Sequence, residues 1–533
     1  MKNQIKLLLF ACAIVVAQGC TEIMEDMNND PKRITMTDLQ ADGELFKQHI
    51  ITMEKNLFNL TSSWMYQVQQ NLNADVFAGY TMHPASFNRP DVNSNYNWNH
   101  GWNSWAFIVA QTNLTEYLAL ARETGNGAEY GDFYSYGLIL KILTALPLVD
   151  GFGPFPYLEY GVGLSPKFDN VNDIYKNGFL PELNIAIDTL KAYAAGAAAD
   201  RVKNSGADIS NFGGDITNWI KLANTLKLRL AMRISNADPT TAAEYITEVV
   251  NDSYGVLDEN TGDFSINTDA NGVFNPFSFI STSWIDCVMS SDMQSFMTGM
   301  QDPRLGAYFL PATSDTVIFQ SGTYAGMRAG IELSSSKGHY AGYSQVKVGA
   351  NFLWVSGAES YFLLAEAATR NLGGLSSGKA KEYYEKGVAA SFVLRGLSEA
   401  EASDYLASTA TPANYIDYNN HANNYSATTA ITPKWDDAKA LEQIITQKWI
   451  AVFPLGAEAW AEFRRTGFPK LVIPKNMESS ANFDGTLKAG EFLKRMPYPS
   501  NILSISPDQA TLAISSYLNG KDDAAQKLWW DVD

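Results

Sequence analysis

Apolar residues recur with helical spacing through most of the well-patterned stretches of this chain. From Leu441 to Val452 they fall at every third or fourth position, which is the spacing of an amphipathic helix. Pro454 and Gly456 interrupt the pattern, and it resumes over residues 457–465. The same spacing predicts further helices over residues 102–122, 130–147, 216–234, 352–369 and 379–393.

Short turns join consecutive predicted helices. The Gly-rich turn Gly125-Asn126-Gly127, for example, connects the helices predicted at 102–122 and 130–147. Helix, turn and helix, repeated along the chain, predict an all-α fold of stacked helical hairpins of the tetratricopeptide type. The consensus letters of that repeat are not cleanly present, so the prediction depends on the hairpin pattern. Four cations of helix 216–234 are expected to face outward or lie at its flanks, paired with acidic neighbours: Lys221, Lys227, Arg229 and Arg233.

Long irregular stretches separate the helical pairs, over residues 75–101, 254–347, 402–435 and 476–519. Each stretch is rich in Gly, Asn, Ser, Thr and aromatic residues, and loops of this length in a compact protein are usually functional. We therefore predict a single domain over residues 37–533, with a large irregular loop-rich lobe inserted at about 254–347. Strong strand alternation is not evident, although brief hairpins are expected within 313–348.

The N-terminus has the pattern of a secretory signal. Lys2 and Lys6 precede an apolar run over residues 7–16, and small residues then lead to Cys20. The run is too short to span a bilayer, and the cysteine at the cleavage point resembles that of a bacterial lipoprotein signal. We predict a signal peptide at 1–19, lipidation of Cys20 and an acidic tether at 20–36, which together hold the protein on a membrane outside the cytoplasm. The alternative is an ordinary signal with an incidental cysteine.

Neither membrane spans nor disulfides are expected after the signal. No further apolar stretch of membrane-spanning length is evident beyond Cys20. Cys12 leaves with the signal, so Cys287 is left alone and cannot form an internal disulfide. Its apolar neighbours predict a small buried hydrophobe rather than a nucleophile.

Charge and aromatic content narrow the class of ligand. The formal net charge is −18, and loss of Lys2 and Lys6 with the signal leaves −20. This acidic balance excludes nucleic acid, which is bound by basic patches, and suits a neutral or cationic ligand. The chain holds 12 Trp, 26 Tyr and 27 Phe, many of them in polar stretches. Aromatic rings stack on the apolar faces of sugars while polar neighbours bond the hydroxyls, so a carbohydrate ligand is predicted.

Motifs for catalysis and metal binding are weak. The histidines are scattered, with no helical pair or adjacent cysteine to form a metal site. Nucleophile elbow, phosphate loop and dinucleotide fingerprint are missing, so we predict neither an enzyme nor a cofactor. A carboxylate pair for glycoside hydrolysis is the alternative, because its members need not be close in sequence. Segment 267–272 mimics the start of a calcium loop, but Ser278 replaces the bidentate Glu; this favours a turn, with bound calcium as the alternative.

Several motifs, in order along the chain, resemble those of one family. They lie at 150–157 (DGFGPFPY), 219–233 (WIKLANTLKLRLAMR), 362–367 (FLLAEA), 445–450 (ITQKWI), 458–460 (EAW), 464–469 (RRTGFP) and 495–499 (RMPYP). Behind a lipoprotein signal, this series resembles the SusD/RagB-type lipoproteins over nearly the whole mature chain. The resemblance implies a non-enzymatic lipoprotein on the outer face of the Bacteroidetes outer membrane.

The resemblance also implies a partner and a process. Members of this family cap a SusC-like TonB-dependent transporter and deliver oligomeric nutrients to it, commonly glycans. Capture of a peptide or glycopeptide for the same kind of transporter is the first alternative. The second is a helical-repeat scaffold that binds only protein.

The resemblance places the sugar site on one loop in the region of 75–98 and on a second loop from the middle insertion. Within these loops, residue chemistry predicts the following ligand-binding candidates: Asp75, Tyr80, Phe87, Arg89, Tyr96, Trp98, Trp284, Tyr324, Tyr340 and Tyr343. The expected roles are stacking for Trp98, Trp284 and Tyr343, and bonds to hydroxyls for Asp75 and Arg89. Trp449 and Trp460 lie on apolar helix faces and are predicted to be core residues.

Overall fold

The computed structural model describes residues 43–85, 104–163, 165–196, 198–313, 319–333, 337–480 and 486–532, with the single positions 39, 94 and 96. The predicted signal, Cys20 and the tether lie outside these residues. The longer helices of the described ranges are α1 (Glu44–Asn56), α2 (Ser104–Glu123), α3 (Gly131–Phe152), α4 (Leu180–Ala194), α5 (Ile216–Ile234), α6 (Pro239–Val250), α7 (Glu359–Thr369), α8 (Ala380–Leu394), α9 (Glu399–Ala407), α10 (Ala440–Ala451), α11 (Gly456–Thr466) and α12 (Pro507–Tyr517).

Shorter helical turns fill many of the connections. They occupy Ser63–Tyr66, Gln67–Asn71, Ala74–Phe77, Val171–Asp173, Ile174–Phe179, Arg201–Ser205, Ser278–Ser283, Ser291–Met293, Gln294–Thr298, Leu305–Tyr308, Gly338–Gly342, Ser377–Lys379, His421–Asn423, Asp437–Lys439, Lys475–Met477 and Ser500–Ile505.

Successive helices pack side by side, as the hairpin pattern predicts. Each helix from α1 to α5 packs against the next in the chain, α7 packs against α8 and α10, and α8 packs against α9. The fold is therefore all-α, with stacked tetratricopeptide-like hairpins, and this prediction is confirmed. Trp449 and Trp460 lie in the core, again as predicted.

Local sequence explains several helix starts. The Asp215 side chain accepts from the backbone N–H of Asn218 at 3.1 Å and so caps α5. Asp238 caps α6 in the same way, with Pro239 as the first helical residue. Ser398 and Glu401 form a reciprocal capping box at the start of α9.

Helix α3 corrects the expectation that no apolar stretch of membrane-spanning length follows Cys20. Its 22 residues are long and apolar enough to cross a membrane by length and composition, but 89% of its most apolar window is buried inside the protein. The core helix of a large bundle and a membrane span meet the same length criterion. The surrounding helices α2 and α4 cover α3.

The cations of α5 are not on its outer side, which contradicts the sequence prediction for Lys227, Arg229 and Arg233. All three are buried, while Lys221 is half-buried and pairs with Asp258 at 3.2 Å. The part of the prediction that paired them with acidic neighbours is confirmed. Neighbouring helices cover both faces of α5. Its amphipathic pattern therefore separates an apolar interior from a buried charged interior, and not the interior from solvent.

A buried ion network joins α5 to α7, α10 and α11. Arg229 Nε donates to Glu359 Oε1 at 2.8 Å, and Arg233 Nη2 donates to Glu458 Oε2 at 2.6 Å. Lys448 Nζ lies 2.9 Å from Glu458 Oε1 and 3.2 Å from Glu359 Oε1. Burial alone would raise the pKa of the Glu458 carboxyl, but these cations outweigh it and hold that pKa below its ordinary value.

Two short antiparallel strand pairs interrupt the helical pattern. Strand β1 (Thr81–Met82) pairs with β3 (Val288–Met289), and β2 (Phe264–Asn267) pairs with β4 (Asn351–Val355). The prediction of one helix over 352–369 is therefore wrong in its first part. Strand β4 is buried on both faces, so it shows no alternation that separates it from a buried helix. The described part of 313–348 contributes isolated bridges, such as that of Phe309 with Val346.

Candidate functional site

The predicted site residues fall into three groups. Phe87, Arg89 and Trp98 lie outside the described residues. Two others, Trp284 and Tyr324, are half-buried and contribute to the surface. The remaining predicted residues are buried: Asp75, Tyr80, Tyr96, Tyr340 and Tyr343.

Asp75 is a buried residue whose carboxylate forms hydrogen bonds inside the protein. It lies in the short helix Ala74–Phe77 and accepts hydrogen bonds from Gln70 Nε2 at 3.0 Å and Asn71 Nδ2 at 3.2 Å. Burial raises the pKa of its carboxyl to about 7, against the lowering effect of these two amides. The prediction that Asp75 bonds sugar hydroxyls is wrong, because its oxygens are enclosed and used within the core.

Tyr80 and Tyr96 are also core residues. The Tyr80 ring stacks on Trp449 with centroids 5.4 Å apart, and its hydroxyl donates to the Trp449 carbonyl at 2.5 Å. Tyr96 packs edge-on against Phe77, with centroids 6.0 Å apart. Because neither ring presents a face to solvent, the prediction that these two tyrosines bind ligand is wrong.

An exposed aromatic cluster lies beside β2 and β4. It consists of Phe274, Phe279 and Trp284, whose rings are in contact, together with Trp64 on the short helix that packs against the segment of Phe279. Trp64 is 43% exposed, Phe274 50% and Phe279 36%. The rings of Phe274 and Phe279 meet edge to face with centroids 5.5 Å apart, and those of Phe279 and Trp284 are 5.9 Å apart. Aromatic surface grouped in this way is a mark of a binding site, whereas scattered exposed rings are not.

Three segments bring the aromatic cluster together. The short helix Ser63–Tyr66 carries Trp64 and packs against the π-helical turn Ser278–Ser283, which carries Phe279. The backbone N–H of Phe274 donates to the Leu60 carbonyl, just before the short helix Ser63–Tyr66, at 3.0 Å. Residues distant in sequence therefore share one surface.

Trp284 is held by a strained corner of the backbone. Its N–H donates to the Phe279 carbonyl at 2.6 Å, and the next residue, Ile285, has a left-handed φ of 55°. That conformation is unfavourable for a β-branched residue and costs about 1–3 kcal/mol. Lys337 Nζ donates to the Trp284 carbonyl and also pairs with Asp286 Oδ1 at 2.7 Å. The backbone is thus fixed on both sides of Ile285, which sets the position of the Trp284 ring.

Sequence analysis predicted Trp284 but missed Trp64, Phe274 and Phe279. Phe274 and Phe279 lie within the flagged stretch 254–347, so the criterion that selected Trp284 applied equally to them. Trp64 precedes the first flagged stretch and carries no such signal. Its exposure follows from the burial of its helix neighbours Ser63 and Tyr66, which the sequence alone does not show.

Tyr340 and Tyr343 support the surface from below. Their hydroxyls donate to the buried carboxylate of Asp417 at 2.8 Å and 2.7 Å. The prediction that they contact ligand, with Tyr343 as a stacking residue, is wrong because both rings are enclosed. Tyr324, by contrast, lines an open cleft together with Tyr418.

Reactive groups near the aromatic cluster are few. Burial raises the pKa of the Cys287 thiol to about 12, which keeps it protonated and unreactive at neutral pH, as the apolar context predicts. Asn267 Oδ1 accepts from the Ala270 N–H at 2.9 Å, so the segment 267–272 begins with an Asn-stabilised turn. Within the described ranges no three His, Cys, Asp or Glu side chains group to hold a metal ion. The aromatic cluster thus presents mainly apolar ring surface to solvent.

Comparison with known proteins agrees with the fold. A family model described as SusD-like, SusD and RagB outer membrane lipoprotein, matches residues 26–531. The structure is similar to a chitin-binding SusD homolog from Flavobacterium johnsoniae, with 33% sequence identity and a TM-score of 0.83 over 92% of this chain and 99% of that one. A SusD homolog from Bacteroides vulgatus ATCC 8482 is 30% identical, with a TM-score of 0.81 over 93% of this chain and 99% of that one.

A SusD-like protein from Bacteroides thetaiotaomicron VPI-5482 is 29% identical, with a TM-score of 0.81 over 92% of this chain and 99% of that one. A search among curated proteins found no match. The family match and the structural neighbours each cover more than nine tenths of the chain. The chain belongs to the SusD-like family of outer-membrane lipoproteins.

Proposed function

We propose that this protein captures a glycan at the aromatic cluster and passes it, uncleaved, to a SusC-like TonB-dependent transporter. The observation that carries the proposal is the exposure of Trp64, Phe274 and Phe279 beside Trp284, whose carbonyl is held by Lys337. Rings that are positioned before the ligand arrives lose little conformational freedom on binding, so more of the contact energy appears as affinity.

The charge around the aromatic cluster favours a neutral ligand. Lys337 and Asp286, which lie directly beneath Trp284, neutralise each other as an ion pair. Stacking on the rings uses the C–H faces of pyranoses and requires no charge on the sugar. A neutral glycan fits this surface better than a polyanion does.

The first ligand to test is a chito-oligosaccharide. One similar structure is that of a chitin-binding protein, and its 33% identity extends over 92% of this chain. The extended β-linked chain of such a ligand presents apolar faces at successive sugar units, which an array of several rings can contact.

The anchor and the partner complete the proposal. Cys20 would carry the lipid, and the acidic tether 20–36 would hold the body at the outer face of the outer membrane, beside the transporter. The SusD-like family consists of outer-membrane lipoproteins, which supports this arrangement.

Isothermal titration of the unlipidated body with chito-oligosaccharides, xylo-oligosaccharides, malto-oligosaccharides and peptides tests the capture step. We expect Trp284→Ala to lose about 1–3 kcal/mol of affinity for the best glycan, the range for an aromatic anchor residue. Trp435→Ala is a matched control, because Trp435 is also half-buried but packs against Tyr384 in the helical body. Binding of peptides alone would replace the proposal with peptide capture, and equal affinity of Trp284→Ala and wild type would remove the aromatic cluster from it.

Chromatography of the glycan after long incubation tests whether the ligand is left intact. We expect the oligosaccharide to be recovered at its original length. Shortened products would make the protein a glycosidase. Binding of proteins without any glycan would instead favour a protein-binding scaffold.

A further inference from the structure

A second region of the loop-rich surface has the chemistry of a sugar site. The Asp417 loop (residues 415–425) begins and ends at an antiparallel bridge between Tyr415 and Tyr425, whose rings stack with centroids 5.0 Å apart. This closed loop stands beside the cleft that Tyr324 lines.

Asp417 makes the loop rigid. Besides the hydroxyls of Tyr340 and Tyr343, its carboxylate accepts from Asn423 Nδ2 at 2.7 Å and from the N–H of Asn419 at 2.9 Å. A buried carboxylate with this many donors fixes the groups that bond to it, because loss of any bond leaves charge unsatisfied in the interior. The conformation of the loop is therefore set before any ligand arrives.

The rigid loop presents Tyr418 to solvent. Tyr418 is 39% exposed, and its ring packs edge-on against Phe319 with centroids 5.3 Å apart. Phe319 in turn contacts Tyr343, with centroids 5.7 Å apart. One side of the Tyr418 ring is thus supported by the core beneath it.

Tyr418 and Tyr324 line a cleft of about 410 Å³. Small-molecule sites range over roughly 300–1,000 Å³, so this volume suits one or two pyranose rings. Gln301 and Thr323 also line the cleft and supply amide and hydroxyl groups. The acidic side chain of the lining, Asp302, is buried and paired with Arg304 at 2.6 Å, which leaves a neutral surface toward the ligand.

We propose that the Tyr324–Tyr418 cleft is a second carbohydrate-binding site, which takes one or two neutral pyranose units of the glycan captured at the aromatic cluster. This inference rests on the proposed function and adds to it the class of sugar and the length of chain. Acidic sugars are excluded from the cleft, because it offers no free cation within the described lining to pair with their carboxylates.

One short segment connects the two sites. Lys337 fixes the backbone of Trp284, and Tyr340 and Tyr343 fix Asp417, and these residues flank or belong to the 3-10 helix Gly338–Gly342. A helix of this type rises about 2.0 Å per residue, so it separates the two supports by roughly 10 Å. A glycan of sufficient length gains avidity by occupying both sites, and a short glycan occupies only one of them.

Titration of the unlipidated body with a ladder of the best-bound oligosaccharide, from two units to eight, tests the second site. We expect Tyr418→Ala and Tyr324→Ala each to weaken binding of the long members about tenfold and to leave the short members unchanged. Trp284→Ala should weaken every member. Ile416→Ala is the matched control, because this exposed side chain belongs to the same loop but does not line the cleft. Thermal melts of all variants check that each is folded.

The outcomes separate the second site from the proposed function. If the wild type binds the ladder but Tyr418→Ala and Tyr324→Ala match it at every length, the second site is wrong and glycan capture stands. If the two variants lose short and long members equally, the cleft is the primary site, which also overturns the inference. If the folded wild type binds no saccharide, the proposed function fails and the second site falls with it.

Discussion

The helical body and the loop-rich lobe (254–347, with the Asp417 loop beside it) both hold buried ion pairs, such as Arg304 with Asp302 in the lobe, but they differ in the aromatic surface that they expose. In the body, Arg229, Arg233 and Lys448 lie inside the bundle and are matched by buried glutamates. In the lobe, Phe274 and Phe279 are exposed although their neighbours are packed. Buried charges thus hold the helices of the body together, whereas the lobe leaves apolar surface exposed to solvent.

This difference separates residues that specify the fold from residues available for binding. Arg233 reaches three carboxylates on two other helices, so its substitution affects structure before any function. Trp284 is half-buried at the edge of the core, and Tyr418 is exposed. Mutations in the two regions should consequently have different measurable effects.

The largest expected effect is a loss of stability caused by a mutation in the helical body. Glu458→Gln removes the carboxylate that Arg233 and Lys448 share and leaves more positive than negative charge around them in the interior, and breaking a buried ion pair in this way costs about 3–5 kcal/mol. Chemical denaturation measures this loss in free energy of unfolding. Glu382→Gln is the control, because Glu382 pairs with Lys379 and Lys386 on the exposed side of α8. Equal stability of Glu458→Gln and wild type would mean that the network does not hold the helices.

The two regions should also differ in their response to pH. Glu458 has a lowered pKa in the fold, so its contribution is present above its unfolded pKa of about 4.3 and is lost as pH falls below it. Burial raises the pKa of Asp292, in the lobe, to about 7, although Val472 N–H donates to it at 2.9 Å. Its contribution is present below the unfolded pKa of about 3.9 and is lost as pH rises through 7.

Denaturation between pH 5 and pH 8 checks this second prediction. Over that range the raised pKa of Asp292 should cost the wild type about 2–3 kcal/mol. Asp292→Asn should remove this part of the slope and leave the part that Asp75 contributes, since burial raises the pKa of Asp75 to about 7 as well. Asp508→Asn, at an exposed position of α12, controls for the loss of one negative charge. A profile that Asp292→Asn leaves unchanged would show that Asp292 does not titrate in this range.

The contrast between the regions also explains how far sequence analysis could reach. The helix predicted from Leu441 begins at Ala440, and the helix predicted over 379–393 is observed at Ala380–Leu394. These elements depend on local spacing and caps, which the chain displays directly. Strand β4 was missed because its partner, β2, lies more than eighty residues away in the chain.

The site was harder to predict than the fold for the same reason. Aromatic residues in polar loops formed the pool of candidates, and Trp284 and Tyr324, which contribute to the surface, came from it. Tyr343 satisfied the same criterion but is enclosed, because its hydroxyl donates to the buried carboxylate of Asp417, 74 residues away in the chain. Exposure is a property of the packed chain, and neither spacing nor composition determines it.

The smallest expected effects separate rigidity from stability within the lobe. Ile285→Gly relieves the left-handed strain and should raise the free energy of unfolding by about 1 kcal/mol. The same change loosens the corner beside Trp284, so glycan affinity should fall by less than tenfold. Thermal melting and isothermal titration of the same preparation measure the free energy of unfolding and the glycan affinity. Gly322 is already left-handed and lies in the same lobe, so Gly322→Ala, which should be destabilised, is the reverse control.

The most direct test of glycan capture at the aromatic cluster is a crystal structure of the unlipidated body with its best-bound oligosaccharide. We predict an intact saccharide with at least one pyranose face stacked on Trp284 or Phe279, at van der Waals distance. A saccharide held elsewhere, with the rings of the aromatic cluster uncovered, would contradict the account.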